Sequence, residues 1–240
     1  MSRTLGALLL AVVVAGTPAA AQNRYLFGFT HSDDGAPANA VQLLTDRGTI
    51  LASGRGWFDD TGFHHGQNDN YVAGSLDGQW YRNFFLFDLS GWNGGFQSAT
   101  LRLYNPSVWL PWCGGVACDG FASPHPAELY FLRFLDPSYY GALSGTALGR
   151  HDVFQALGSG TQFGRHLATA ADNGGWIDIR LNSAGLGDLN RRAGSTWAVG
   201  GNLEERVGAA DVTVTPEPST WVLLATGLVA VLAAARRRQA

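Results

Sequence analysis

The chain has 240 residues, with 16 Lys and Arg against 19 Asp and Glu, a formal net charge of −3 at pH 7. Lysine is absent and the middle of the chain has no basic run, which argues against nucleic-acid binding and against electrostatic adhesion to anionic lipid. Low charge, 32 glycines and 12% aromatic residues suit a secreted all-β domain better than a cytosolic enzyme.

The chain opens on a short basic region with Arg3, an apolar stretch over 5–14, and Ala19-Ala20-Ala21 ahead of Gln22. This is the pattern of a secretory signal peptide, cleaved by signal peptidase behind Ala21 and too short for a stable span. The mature ectodomain is then expected over 22–215, about 194 residues, enough for one sizeable core and not for two. It carries 12 arginines and 18 acidic residues, a net charge near −6.

A strand is expected over 49–53. The richest polar cluster of the chain follows, from Asp59-Asp60-Thr61 through His64-His65 to Asn68-Asp69-Asn70. Asp59, His64 and His65 have the chemistry of zinc ligands, and Asp69 with backbone carbonyls that of a calcium site. The spacing matches no zinc motif, and the Asp-rich, glycine-containing calcium loop is missing. The expectation is therefore a solvated loop between two strands, with no cofactor; calcium stays open as an alternative without support in the motif.

Strands follow over 71–74 and 80–90. The second contains Trp80-Tyr81-Arg82-Asn83-Phe84-Phe85-Leu86-Phe87-Asp88 and lacks Gly and Pro, so it is expected to be buried on much of both faces. Asp88 is expected to bond backbone or Arg82. After a glycine-rich turn, 98–105 alternates Ala99, Leu101 and Leu103 with Thr100, Arg102 and Tyr104, the period of a half-exposed strand, until Pro106 ends it.

Both cysteines, Cys113 and Cys118, lie in the aromatic loop 108–120. In an oxidising compartment a local disulfide is the default, contributing about 2 kcal/mol through chain entropy. A redox-active pair or a metal site are the alternatives; the C-x4-C spacing suits neither well. In the same loop Trp109 and Trp112 flank Pro111, and farther on Tyr139-Tyr140 follow Pro137. Exposed rings of this kind give sugar rings an apolar face to stack on, whereas rings packed inward would only cap the domain edge.

Further strands are expected over 128–135, 164–170, 175–181 and 196–200. Helices are expected over 150–157 and over 183–193, the latter with Asn182 as its cap. Many short strands between Gly, Asn and Asp turns imply two packed antiparallel sheets, an all-β, jelly-roll-like sandwich with one or two short helices. Glu204 or Glu205 with Asp178 or Asp88 would make a glycosidase carboxylate pair, but nothing in the sequence brings them together. No nucleophile elbow, P-loop or dinucleotide fingerprint appears, so no catalytic residue is assigned.

The C-terminal residues carry the sharpest signal. Pro216-Glu217-Pro218 precedes a charge-free run over 219–235, and Arg236, Arg237 and Arg238 follow in the basic end 236–240. Seventeen helical residues cover about 25 Å, against a hydrocarbon core of roughly 30 Å. Such a helix just spans, with Trp221 at one interface and the arginines on the cytoplasmic side, leaving 22–215 outside. The two prolines keep the approach extended and open to a protease.

This order of Pro-Glu-Pro, apolar run and arginines resembles the PEP-CTERM sorting domain of Gram-negative bacteria, with the motif at 216–218 inside a tail of 216–240. The strand residues 81–90 and 98–104, with 170–174, 179–189 and 197–201, are similar to an ectodomain shared by many proteins with this tail and to jelly-roll modules of bacterial surface proteins. The cysteine-bearing loop departs from that pattern. The resemblance implies export, a transient inner-membrane intermediate, exosortase as processing partner, and delivery to the cell surface or extracellular matrix. It also implies an association with exopolysaccharide and biofilm, and a non-catalytic role in which glycan binding through Trp109 and Trp112 is one expectation. A carbohydrate-active enzyme on the same sandwich and a purely structural surface module are the alternatives.

Overall fold

The computed structural model describes residues 23–27, 37, 39–107 and 120–204. The chain divides into two units, Met1–Glu204 and Glu205–Ala240, and every element below belongs to the first. The signal segment, the loop with Trp109, Trp112, Cys113 and Cys118, and the sorting tail with its expected membrane helix over 219–235 lie outside the described residues. Among the described residues no helix is long and apolar enough to cross a membrane.

Ten strands are present among the described residues: β1 (Arg24–Leu26), β2 (Val41–Thr45), β3 (Gly48–Asp59), β4 (Ala73–Leu76), β5 (Gln79–Asp88), β6 (Ala99–Asn105), β7 (Ala127–Phe134), β8 (Gln162–Thr169), β9 (Gly175–Arg180) and β10 (Thr196–Leu203). Two helices, α1 (His151–Ser159) and α2 (Ser183–Arg191), and 3-10 turns at Pro137–Ala142 and Ala170–Asp172 complete the unit. Asn182 caps α2 as expected, its side chain accepting from the Gly185 N–H at 2.9 Å.

All pairings are antiparallel, in the order β8-β7-β10-β5-β3-β2-β6-β9, with β4 on β5 and β1 on β4. The two facing sheets are not separate bodies, because β3 belongs to both. Its first residues, 48–51, pair with β2, and 52–59 pair with β5, with a bulge between Ala52 and Gly54 where the strand turns from one sheet into the other. We call β8-β7-β10-β5-β3 sheet I and β3-β2-β6-β9 sheet II. The free edges, β8 and β9, come together: Gly164 sits where a Cβ would meet Ile179 at 2.8 Å, and the Asn182 N–H donates to the Phe163 carbonyl at 2.7 Å. The result is a folded-over, nearly barrel-shaped sheet.

The main core fills the space between the sheets. Sheet I contributes Phe85, Phe87, Tyr130, Leu132, Trp197 and Val199, and sheet II contributes Leu43, Leu101, Leu103, Ile177 and Ile179, all buried. Asn83 is the polar residue at its centre. Its Oδ1 accepts from the Tyr130 hydroxyl at 2.8 Å, and its Nδ2 donates to the Tyr71 carbonyl at 2.7 Å. Gly201 leaves the room this pair needs, since a Cβ there would run into both the Tyr130 hydroxyl and the Asn83 amide.

Sheet I also buries its outer face. There α1 and the Pro137–Ala142 turn cover Phe58, Phe84 and Ala198 with Val153, Phe154, Leu157, Leu135 and Leu143. This second cluster is why β5 is buried on both sides, as its composition predicts. Arg82 lies on the same face, its guanidinium 4.1 Å from the Phe154 ring centroid and donating to the Phe154 carbonyl at 2.9 Å. Asp88 bonds backbone, accepting from the Ser90 N–H at 2.8 Å.

β1 and β2 and the second half of β3 are missing from the sequence expectations. Gly54 and Gly56 interrupt the strand pattern of β3 for a packing reason: a Cβ on Gly56 would meet the Phe84 ring at 2.8 Å. The β4–β5 hairpin turns through Asp77 and Gly78, both with positive φ, the Asp-Gly pair that two-residue turns favour.

Candidate functional site

Sheet I is covered on its outer side; the outward side chains of sheet II stay exposed or half-exposed. The strand register sets them in rows. Leu51, Gln42, Arg102 and Asp178 follow one another across β3, β2, β6 and β9, and Tyr104 faces Trp176 on the next inter-strand pair outward. At about 4.8 Å per strand, such a row spans about 14 Å.

Trp176 is the large ring this face presents, 40% exposed. Tyr104 braces it edge-on, with ring centroids 5.4 Å apart, and the Arg102 guanidinium lies 5.9 Å from the Trp176 centroid. Arg102 holds Asp178 through two hydrogen bonds, from Nε and from one terminal nitrogen, both 2.7 Å. The Arg102 hydrogen bond holds the Asp178 carboxyl below its ordinary range, and Asp178 in turn raises the guanidinium. At the other end of the row, a cavity of about 490 Å³ is lined by Leu51, Asn39, Arg55 and Asp69, among others. Arg55 pairs with Asp69 at 2.7 Å. A flat ring, a fixed ion pair and amide side chains on an open sheet make a surface suited to a polyhydroxylated polymer: the ring offers an apolar face, the polar groups bond hydroxyls.

The other candidates fall elsewhere. Tyr139 and Tyr140 are half-buried against the cluster under α1; the Tyr140 hydroxyl accepts from the Ala198 N–H at 3.0 Å, and Tyr139 lines a cavity of about 400 Å³ with Phe134, Asp136 and Asp152. Trp109 and Trp112, like Cys113 and Cys118, lie outside the described residues. The cluster 59–70 leads from β3 to β4 and is solvated in part: Asp60, Thr61, His65 and Gln67 are exposed, whereas Asp59, His64 and Asn70 are buried. Asp59 Oδ1 accepts from the backbone of Thr61 at 2.9 Å and of Phe63 at 3.0 Å, and Oδ2 accepts from Gln79 at 2.9 Å. His64 stacks between Phe58 and Phe84 and donates through Nδ1 to the Trp57 carbonyl at 2.8 Å. Burial pushes its pKa below the ordinary value, against hydrogen bonds to the backbones of Trp57 and Leu143 that raise it. Among the described residues no group of three or more His, Cys, Asp and Glu is placed to hold a metal ion.

Of the carboxylates expected as a glycosidase pair, Glu205 lies outside the described residues, and Asp88 and Glu204 are not brought together. Asp88 pairs with Thr196 at the start of β10, whereas Glu204 follows its end, roughly 26 Å along an extended strand. Asp178 is on sheet II, bound to Arg102. A carboxylate that sequence reasoning did not single out, Glu128, is buried and receives Arg24 in two hydrogen bonds, 2.8 Å and 2.5 Å, and the Ser123 hydroxyl at 2.6 Å. It clamps β1, and no spacing in the sequence pairs it with Arg24 across 104 positions.

The folded all-β unit is followed in the sequence by Pro-Glu-Pro, an apolar run and arginines. Residues 214–238 match the PEP-CTERM protein-sorting motif, which contains Pro216, Glu217 and Pro218 and the arginines 236–238. Residues 214–238 are thus a PEP-CTERM protein-sorting motif, and the motif marks export through a membrane-anchored intermediate with exosortase as the processing enzyme. No curated protein and no solved structure matches the chain.

Proposed function

We propose that the ectodomain is a non-catalytic recognition module that binds extracellular polysaccharide on the open face of sheet II and, once sorted by exosortase, tethers that polymer in the cell-surface matrix. The observation that carries this reading is the exposed Trp176 ring, braced by Tyr104 and bordered by the Arg102–Asp178 pair. An exposed indole with polar groups beside it offers a saccharide an apolar face to stack on and partners for its hydroxyls. In this reading signal peptidase releases the chain behind Ala21 and the helix over 219–235 arrests it in the inner membrane. Processing then follows at or near Pro216-Glu217-Pro218. The loop with Trp109 and Trp112 is a second contact region of the same kind, stiffened by a Cys113–Cys118 disulfide.

A glycan screen with the full-length protein, in a detergent without a sugar headgroup, tests this. Wild type is expected to retain polysaccharide, and Trp176→Ala to bind about tenfold more weakly or worse, the loss typical of an aromatic anchor. Loss in Trp109→Ala and Trp112→Ala with full binding by Trp176→Ala would move the site to the loop. No binding by the folded wild type would leave a structural surface module.

A further inference from the structure

On the open face of sheet II, β9 presents Trp176, Asp178 and Arg180 outward, the first and last about 13 Å apart along the strand. Trp176 is the braced ring, and Asp178 is held by Arg102 at 2.7 Å. Arg180 is different. It is exposed, and its guanidinium has no acceptor among the described residues. Thr100 lies opposite it on β6, followed across the row by Leu44 on β2 and Thr49 on β3, none of them charged. On the β8 side its backbone neighbour is Gly164.

The carboxylates on and around this face have partners. Besides Asp178, Asp69 pairs with Arg55 at 2.7 Å, and Asp172 accepts from the Thr169 N–H at 2.7 Å. Asp46 accepts from the Gln97 N–H at 2.9 Å and from the Ser98 N–H at 3.2 Å. Arg47, beside it in the β2–β3 turn, donates to Asn93 Oδ1 at 3.0 Å. Charge here is matched except at Arg180, whose five N–H donors face solvent.

This mismatch narrows the ligand. The segment 22–215 carries 12 arginines against 18 acidic residues, so its field at large disfavours an anion. An acidic polymer gains only where a cation is unmatched, and Arg180 is such a place on the same strand as a stacking ring. An acid group also fits the planar fork of a guanidinium better than a hydroxyl does, because two charge-assisted bonds replace neutral ones. We infer that the open face is selective for an anionic polysaccharide laid along β9, with one sugar on Trp176 and an acid group farther along the chain on Arg180. The inference rests on the polysaccharide reading of this face and names the class of polymer it takes. At that spacing the ring and the guanidinium meet different units of one chain.

The test is calorimetric titration of the full-length protein in an uncharged detergent without a sugar headgroup. Alginate and polygalacturonate are compared with their carboxyl-reduced, neutral counterparts, and dextran sulfate with dextran, which separates carboxylate from sulfate as the acid group. At least one acidic polymer is expected to bind more tightly than its neutral counterpart, by a margin that shrinks at high salt. Arg180→Gln is expected to weaken acidic-polymer binding about threefold to fivefold at low salt and to narrow that margin, and Arg180→Lys to restore most of it. Arg165→Gln removes an exposed arginine of β8, opposite Phe131 in sheet I, and is expected to bind as wild type does. Thermal melting followed by circular dichroism checks that each variant folds. The inference is overturned if acidic and neutral forms bind equally while Trp176→Ala still loses binding, a result that leaves the polysaccharide reading standing. It is equally overturned if Arg180→Gln keeps the wild-type preference, or if Arg165→Gln weakens binding as much, which would make the effect one of net charge. Failure of every polymer to bind the folded wild type would remove the polysaccharide reading and this inference with it.

Discussion

Sheets I and II are both antiparallel and share β3, yet one outer face is a second core and the other is open. The two faces of β5 and β6 show the contrast. On β5 the outward residues are Arg82, Phe84 and Leu86, roofed by α1 and the Pro137–Ala142 turn. On β6 they are Thr100, Arg102 and Tyr104, which meet Arg180, Asp178 and Trp176 of β9 and then solvent. Even the arginines are used differently: Arg82 bonds backbone carbonyls beneath α1, and Arg102 holds a carboxylate in the open. The covered face is a second core, and the open face is not.

The largest expected effect breaks this contrast by stability. Phe84→Ala empties a buried site between Phe58 and His64 and should cost about 3–5 kcal/mol in chemical denaturation. Trp176→Ala, on the open face, should cost about 0.5–1 kcal/mol. Comparable losses at the two sites would mean that the open face is core as well.

A second difference concerns protons. Because burial lowers the folded-state pKa of His64, the unfolded chain binds the proton more readily. The stability from neutral His64 is therefore present in full above the ordinary value of 6.5 and is lost as pH falls through the lower folded value. Between pH 7 and 5 the wild type should lose more stability than His64→Gln; parallel curves would sink the idea that this ring is held neutral.

The smallest effect belongs to the open face. The folded-state pKa of Asp178 is depressed, chiefly by the Arg102 hydrogen bond, so its contribution is present above the ordinary value of 3.8 and disappears as pH falls below it. Arg102→Ala should cost about 0.5–1 kcal/mol at neutral pH and low salt, and less at high salt. The difference between the two proteins should vanish in acid, as followed by urea unfolding at each pH.

The sequence by itself determined the features that live in local order. The sorting tail is a string of neighbouring residues whose chemistry reads directly, and residues 214–238 match it as such. The strands of β5 and β6 and the Asn182 cap were legible for the same reason, since composition, period and capping chemistry act within a few residues. What the sequence left open was which surface would be covered. Alternation shows that Thr100, Arg102 and Tyr104 share a face, but whether a helix lies on that face depends on contacts far along the chain. Only the tertiary structure tied the Tyr140 hydroxyl to Ala198, buried the polar pair Asp59 and His64, and left Trp176 outside. Burial is a property of packed surfaces brought together from distant segments, and no period or motif in a single stretch encodes it.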